Sequence, residues 1–383
     1  MARRRVLVEG WRFIHHSYAL VAQSHCLCLL RRDDVELRFA DLPYYVDTWR
    51  RTRGVFTSAA EEALAALRAP EAEFAPDATF TLRAERPDFS APRSGRRFSF
   101  GTAEFRVLEE RNRSGLSSAA QVPDTVRIVT PSRWPALAFE RFGMAPERIH
   151  VVPHGVDPAV FRPDPAARQT ARERLGLQDA FVYLSVGAMT ANKGTDVLLT
   201  AFARVAETEP AARLFLKGAD ALYPSRDLVH EVLRDLPARA RKRVAARLIY
   251  DGETYSSGMM ANLLRAADVY VSPYRAEGFN MPVLEAAACG VPVICTGGGP
   301  TDEFTQESFA RRIRSSPAQT QLSPTQFGDY LEPDPDHLVE LMRQAASERD
   351  GAARMGAAGA EYVAQNFTWE RVTERLVEVL FAR

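Results

Sequence analysis

The chain has 383 residues, 46% of them hydrophobic and 26% charged, and its 49 basic residues balance its 49 acidic ones. That length suits two or three domains, and the zero net charge argues against a broad nucleic-acid-binding face, which usually needs a basic excess, while leaving room for a local basic patch. Only three of the basic residues are lysines, Lys193, Lys217 and Lys242, so in this arginine-rich chain the position of each lysine carries information.

Short apolar runs alternate with longer helical patterns, the order of α/β proteins with parallel sheets. In the first half, strands are predicted at Arg5–Val8, Val35–Phe39, Ala78–Leu82, Phe98–Phe100, Val126–Thr130 and Ile149–Val152. Helices are predicted at Ser17–Leu30, Ala59–Leu67 and Ser132–Phe142, the last opened by Ser132 as N-cap and stopped by Gly143. The apolar run after the basic start is only Val6-Leu7-Val8, whereas a signal peptide needs about 7–15 residues. Nothing approaches the ~18 apolar residues of a membrane span. Cys26, Cys28, Cys289 and Cys295 lack metal-site spacing and sit in apolar contexts, as reduced core thiols of a cytoplasmic protein would.

Pro158, Pro163 and Pro165 break the pattern and place a linker near 157–166. The alternation then restarts, with strands at Phe181–Val186, Arg213–Leu216, Leu248–Tyr250, Val269–Ser272 and Pro292–Cys295. Thr195–Glu207, Leu263–Ala267 and Val283–Cys289 read as helices between them, and Asp336–Glu348 and Glu370–Phe381 as helices near the end. Ala310–Gly328 is polar and irregular and reads as an insertion.

The chemistry concentrates after two of these strands. Glu277-Gly278-Phe279-Asn280-Met281-Pro282-Val283-Leu284-Glu285 follows an apolar strand and enters a helix. That is the carboxyl edge of a parallel sheet, where open α/β folds bind ligands. Gly278 allows close backbone approach, Pro282 suits a first helical turn, and the free N–H groups there favour an anion. Carboxylates are poor phosphate ligands, so Glu277 and Glu285 suit sugar hydroxyls beside a phosphate. Two readings stand at even weight: a ligand-binding pair, or a first-turn glutamate plus a solvated one. Similarly, Gly187-Ala188-Met189-Thr190-Ala191-Asn192-Lys193-Gly194 joins a strand to a helix, with Lys193 placed to neutralise a diphosphate. Lys217 ends the next strand, and Lys242 reads as part of a solvated helix face.

These motifs resemble glycosyltransferase family 4, the glycosyl transferases group 1. Glu277–Glu285 resembles its E-x7-E motif, and Val152-Pro153-His154-Gly155-Val156-Asp157 its crossover between domains. Thr130-Pro131-Ser132, Leu263–Pro273 and Phe367-Thr368-Trp369 resemble further family signatures. The match is good over about 125–383 and weak over 1–124. The resemblance implies the GT-B fold: two Rossmann-like doubly wound α/β domains facing a central cleft. Residues 1–157, joined by a returning terminal helix at about 367–383, would form the acceptor domain. Residues 158–366 would bind the nucleotide sugar.

By the same resemblance the chain is a retaining, hexosyl-type transferase that moves a sugar from a nucleotide diphosphate sugar to an acceptor hydroxyl. Glu277 and Lys193 would be catalytic. Gly187, Lys193, Gly194, Glu277, Gly278, Phe279, Asn280 and Glu285 would bind the donor. The family's usual arginine is replaced by Ala188, and Lys217 and Arg275 are candidate substitutes. On the acceptor side, Gly10, His15, His16 and Glu104 are candidates. The acceptor would be a carbohydrate, a lipid-linked sugar or a small molecule, with room for peripheral membrane contact and none for nucleic acid. No metal and no cofactor beyond the donor is implied. Asp334-Pro335-Asp336 spells the D-x-D of the other major glycosyltransferase fold, but in a proline turn where Asp336 suits an N-cap. Two rivals share the motifs: a GT-B phosphorylase or sucrose-synthase-like enzyme, and a catalytically weak GT-B protein that binds or regulates a partner.

Overall fold

A computed structural model describes residues 3–84 and 86–382. The chain divides into two compact units: one runs to Gly155 and includes Gln319–Asp329 and the segment from Trp369 onward, the other comprises Val156–Ala318 and Tyr330–Thr368. The sequence alone did not separate Gln319–Asp329 from its surroundings.

The first unit contains β1 (Arg4–Gly10), α1 (Ser17–Leu29), β2 (Val35–Asp41), α2 (Ser58–Ala65), β3 (Ala78–Leu82), β4 (Arg96–Phe100), β5 (Val126–Thr130), α3 (Arg133–Phe142) and β6 (Ile149–Val151). The strands form one parallel sheet in the order β2-β1-β3-β4-β5-β6. Val6, Val8, Phe80, Phe98 and Ile128 are almost wholly buried in it. Strands covered on both faces need such apolar, β-branched or aromatic residues. Gly143 closes α3 at φ 98°, as its sequence position predicts. The strand order reverses between β1 and β3, the position in an open α/β sheet where ligands commonly bind.

The second unit contains α4 (Pro165–Leu175), β7 (Phe181–Val186), α5 (Thr195–Thr208), β8 (Ala212–Lys217), α6 (Ser225–Asp235), α7 (Ala238–Ala245), β9 (Leu248–Asp251), α8 (Ser257–Ala266) and β10 (Val269–Ser272). After these come α9 (Met281–Ala288), β11 (Val293–Thr296), β12 (Ala310–Ile313), β13 (Ser315–Ser323), β14 (Gln326–Pro333), α10 (Pro335–Ser347) and α11 (Arg349–Asn366), with the hairpin end of β13 and β14, Gln319–Asp329, grouped with the first unit. Its parallel sheet has the order β12-β11-β10-β7-β8-β9, so the reversal falls between β7 and β10. Tyr183, Leu184, Leu214, Leu216, Val271 and Ile294 lie in the core around it, each fully buried. That strand order is the doubly wound, dinucleotide-binding arrangement.

The segment Ala310–Gly328 is a correction. It is not irregular: Ala310–Ile313 adds the sixth parallel strand, and β13 pairs with β14 in a two-stranded ribbon. Much of the ribbon is solvated, so its residues lack the apolar alternation that marks a half-buried strand. A second correction concerns the turn before α10. Asp334, not Asp336, is the N-cap, its carboxylate accepting the N–H groups of Asp336 at 2.9 Å and His337 at 3.1 Å. Pro335 supplies the first helical residue, where a missing N–H costs nothing.

The terminal helix α12 (Trp369–Phe381) belongs to the first unit. It is strongly amphipathic, with Val372, Leu376, Val377 and Leu380 buried on one side. His25 of α1 hydrogen-bonds Thr373 at 2.9 Å, and Arg31 pairs with Glu370 at 2.7 Å. His154 lies buried against the rings of Phe100 and Trp369, so it is a packing residue as its crossover position suggests. Burial lowers the imidazoles of His25 and His154 to about 3, which keeps both neutral.

Candidate functional site

The loops after β7 and β10 meet at the reversal of the second unit's sheet, and a few side chains stitch them together. Asn192 accepts the Arg275 N–H on its carbonyl at 2.7 Å and donates its amide to the Ala276 carbonyl at 3.1 Å. Thr190 Oγ1 donates to Asn192 Oδ1 at 2.6 Å and fixes the amide's orientation. Gly194 follows at φ 67°, and a Cβ there would sit 1.9 Å from the Pro273 carbonyl oxygen. Only glycine permits both that backbone conformation and that approach.

Lys193 stands between these two anchored residues. Its Nζ donates to Glu277 Oε1 at 2.7 Å. The Glu277 side chain is 9% exposed and that of Lys193 25% exposed, so the pair is charge-assisted and largely shielded from water. Past Glu277 the backbone turns through Asn280 at φ 77°, the left-handed N-cap of α9. Its amide donates to Ser272 Oγ at 2.9 Å, which holds the turn against the end of β10. Phe279 stacks on Phe304 with ring centroids 4.4 Å apart, so its side chain is a packing element and only its backbone faces the loop.

Glu285 sits one turn inside α9. The residue is only partly covered, yet its carboxyl group is deeply enclosed, and burial raises it to about 7. Desolvation by that burial is the cause. Thus Gly187, Lys193, Gly194, Glu277, Gly278, Phe279, Asn280 and Glu285 all lie on the two loops at this one reversal and on the helices that follow them.

Neither substitute for the missing arginine survives. Lys217 is buried and donates to the carbonyls of Gly218 and Glu253, with the Tyr255 ring 4.6 Å from its Nζ. Burial lowers its pKa, a cost met by those local acceptors. Arg275 spends its donors on Asp196, Glu332 and the Ala191 carbonyl, at 2.7–3.0 Å. Its guanidinium is a clamp between α5 and β14, and the Asp196 bonds raise its pKa. Sequence reasoning missed Asn192, Asp196 and Glu332 because lone polar residues carry no periodic signal; only the Thr-x-Asn spacing hinted at a locked turn.

The acceptor-side candidates lie in the first unit. Gly10 ends β1, and its carbonyl accepts the Leu42 N–H at 2.9 Å. His16 is buried as the N-cap of α1: its Nδ1 accepts the Tyr18 N–H at 3.2 Å, and its ring meets Trp11 edge-on at 5.2 Å. Burial lowers it to about 4, so at neutral pH it offers phosphate no charge. His15 is half-buried. Glu104 follows β4, and its carbonyl accepts the Trp134 indole N–H at 2.7 Å. Also unforeseen was an aromatic group around Trp11, with Tyr44, Tyr45 and Trp49 at centroid distances of 6.0, 5.1 and 5.5 Å. Among the described residues no three His, Cys, Asp or Glu side chains are placed to share a metal ion, and no helix is long and apolar enough to cross a membrane.

Comparison with known proteins gives this geometry a setting. Residues 180–313 match the family described as glycosyl transferases group 1. A D-inositol 3-phosphate glycosyltransferase of Catenulispora acidiphila is 34% identical over 248 residues, which cover 62% of this chain and 52% of the relative. Mannosylfructose-phosphate synthase of Agrobacterium fabrum is 29% identical over 266 residues, 68% of this chain and 53% of that one. The chain thus spans about half the length of the curated relatives it matches. In structure it resembles Anabaena HepE in complex with UDP and glucose, with a TM-score of 0.70, 14% identity and all of both chains covered. It also resembles WaaG, a glycosyltransferase involved in lipopolysaccharide biosynthesis, with a TM-score of 0.64 and 15% identity over 99% of this chain and 100% of that one. These likenesses identify the fold as GT-B.

Proposed function

We propose that this chain, whose residues 180–313 are a glycosyl transferases group 1 domain on a GT-B fold, transfers a hexosyl group from a nucleotide diphosphate sugar to an acceptor hydroxyl with retention of configuration. The observation that carries the reading is the shielded Lys193–Glu277 pair at the strand-order reversal, with Glu285 one turn inside the helix that follows. Lys193 is the cation for the donor diphosphate. Glu277 accepts hydrogen bonds from the sugar hydroxyls, and Glu285 accepts them from the ribose. The first-turn N–H groups of α9 face the phosphate.

In the reaction the anomeric carbon–oxygen bond to the diphosphate breaks as charge builds on the leaving oxygen. The acceptor oxygen bonds to the same carbon from the same face, and its proton passes to the leaving phosphate. Lys193 stabilises the departing charge in a site that excludes water, while the sugar passes through an oxocarbenium-like state. The reaction runs without a metal, and chelators leave the rate unchanged. Nucleotide sugars are made in the cytoplasm, which is where we place the activity. The curated relatives and the HepE complex carry names with inositol phosphate, mannosylfructose phosphate, UDP and glucose; a sugar or sugar-phosphate acceptor suits this chain as well.

A thermal-shift screen over UDP-, GDP- and ADP-sugars, followed by donor hydrolysis with wild type and Glu277→Ala, tests the proposal. A donor that raises the melting temperature and turns over only in the wild type is the expected result. Absence of both effects for every donor would favour a non-catalytic binding protein, a rival supported by the unreplaced arginine at Ala188. Inorganic phosphate as acceptor would reveal a phosphorylase.

A further inference from the structure

The strand-order reversal of the first unit also carries charge. Arg51 and Arg53 lie in the loop after β2, and Arg83 and Arg86 lie just after β3. Together with Arg50, the loops at 42–57 and 83–86 hold five arginines against two acidic residues, Asp47 and Glu85. Among the described residues no carboxylate lies within ion-pair distance of Arg51, Arg53, Arg83 or Arg86. Arg12 in the same region shows the contrast: it is buried, bonded to Asp41 at 2.5 and 2.9 Å, and occupied structurally.

The four arginines are not loose. Arg51 and Arg53 stand over the Phe13 ring at 4.4 and 5.0 Å, and Arg83 and Arg86 over the Tyr45 ring at 5.9 and 5.8 Å. Stacking holds a guanidinium in place without using its N–H donors; only Arg83 spends one, on Tyr45 Oη at 3.0 Å. Phe13 itself is held at φ 60°, its N–H donating to Gln23 Oε1 at 3.0 Å and its carbonyl accepting the Thr52 N–H at 2.6 Å. So strained a non-glycine backbone persists only where surrounding bonds fix it, commonly beside a ligand. Trp11 links the two halves of the group through Tyr44 and Tyr45.

A local excess of five arginines over two acidic residues, with four of the arginines in no ion pair among the described residues, fits an anionic partner. We propose that this cluster of loops is an acceptor subsite for a phosphate ester, its phosphate taken by the arginine forks and the rest of the molecule lying on the exposed Tyr45 and half-exposed Trp49 rings. Planar guanidinium groups match phosphate oxygens in pairs. The proposal rests on the sugar-transfer reading only in calling this anion the acceptor.

Isothermal titration calorimetry of the full chain at fixed ionic strength tests it, with a hexose 6-phosphate as one probe and vesicles of equimolar phosphatidylcholine and phosphatidylglycerol as another. The expected result is saturable hexose phosphate binding that weakens at least about tenfold in Arg51→Ala/Arg53→Ala and in Arg83→Ala/Arg86→Ala. Lys242→Ala, a cation remote in sequence, leaves it within about twofold. Vesicle binding with the same dependence, and none of the soluble ester, would assign the phosphate to a lipid headgroup. Failure of both probes to bind, or unchanged binding in both double variants, overturns the proposal. Nucleotide-sugar binding is measured in parallel and is unchanged in these variants; its absence from the wild type would remove the transferase reading while leaving the anion result intact.

Discussion

At the strand reversal of the second unit, Lys193 is held by a carboxylate at 2.7 Å, and burial pushes a second carboxyl, Glu285, up to about 7. At the reversal of the first unit, four arginines ride on aromatic rings with no ion-pair partner among the described residues, and His16 is neutral. The same topological position is therefore built in two ways. One is compact and internally balanced, its lysine bonded to its carboxylate, which suits the proposed ligand with both hydroxyls and phosphate. The other is an open basic surface, which suits the proposed anion. Strand order selects where a ligand sits, and the loops select its charge.

Glu277→Ala breaks the comparison most severely. It removes the sugar-facing carboxylate and leaves Lys193 without its partner, and we expect transfer to fall by roughly a thousandfold, read as kcat with saturating donor. Lys193→Ala follows, with donor affinity down by about a hundredfold while Lys242→Ala stays within about twofold; equal losses by titration would remove Lys193 from the site. Arg275→Ala separates clamp from ligand. It should lower stability by about 1–3 kcal/mol, discounted because its acidic partners are half exposed, yet change donor affinity less than Lys193→Ala does. A larger affinity loss than that of Lys193→Ala would make Arg275 a phosphate ligand after all.

Glu285 gives the smallest effect and sharpens the picture through pH. Its folded value of about 7 lies above its ordinary 4.5. The folded chain therefore holds a proton that the unfolded chain releases, and stability falls as pH rises from about 4.5 to 7. Glu285→Gln removes that slope in denaturant melts. Hydroxyl ligands favour the carboxylate, so donor affinity should rise over the same pH range in the wild type and stay flat in Glu285→Gln.

Strands with both faces covered, such as Phe181–Val186 and Val269–Ser272, were legible because burial on both sides forces an unbroken apolar run. The β13–β14 ribbon was not, since it buries little and its sequence resembles a loop. Lys193, Glu277 and Glu285 were legible through their place at strand ends and through family motifs. Arg275 was misread because charge and neighbourhood suggested a ligand, whereas its donors are consumed by Asp196, more than seventy positions earlier, and by Glu332. Partners so distant leave no local trace. The same holds for the aromatic group that joins Trp11 to Tyr44, Tyr45 and Trp49.

In the proposed donor site, the Lys193–Glu277 contact makes anion capture an exchange reaction. An incoming diphosphate does not fill an empty socket; it competes with a resident carboxylate for one ammonium group. Bare phosphate or pyrophosphate would displace Glu277 and leave its carboxylate desolvated and unbonded. A sugar diphosphate brings its own hydroxyls to take over Glu277 in the same step. Discrimination against the simple anions that crowd a cell is thus written into the resting site, and nucleotide alone should bind more weakly than the intact donor.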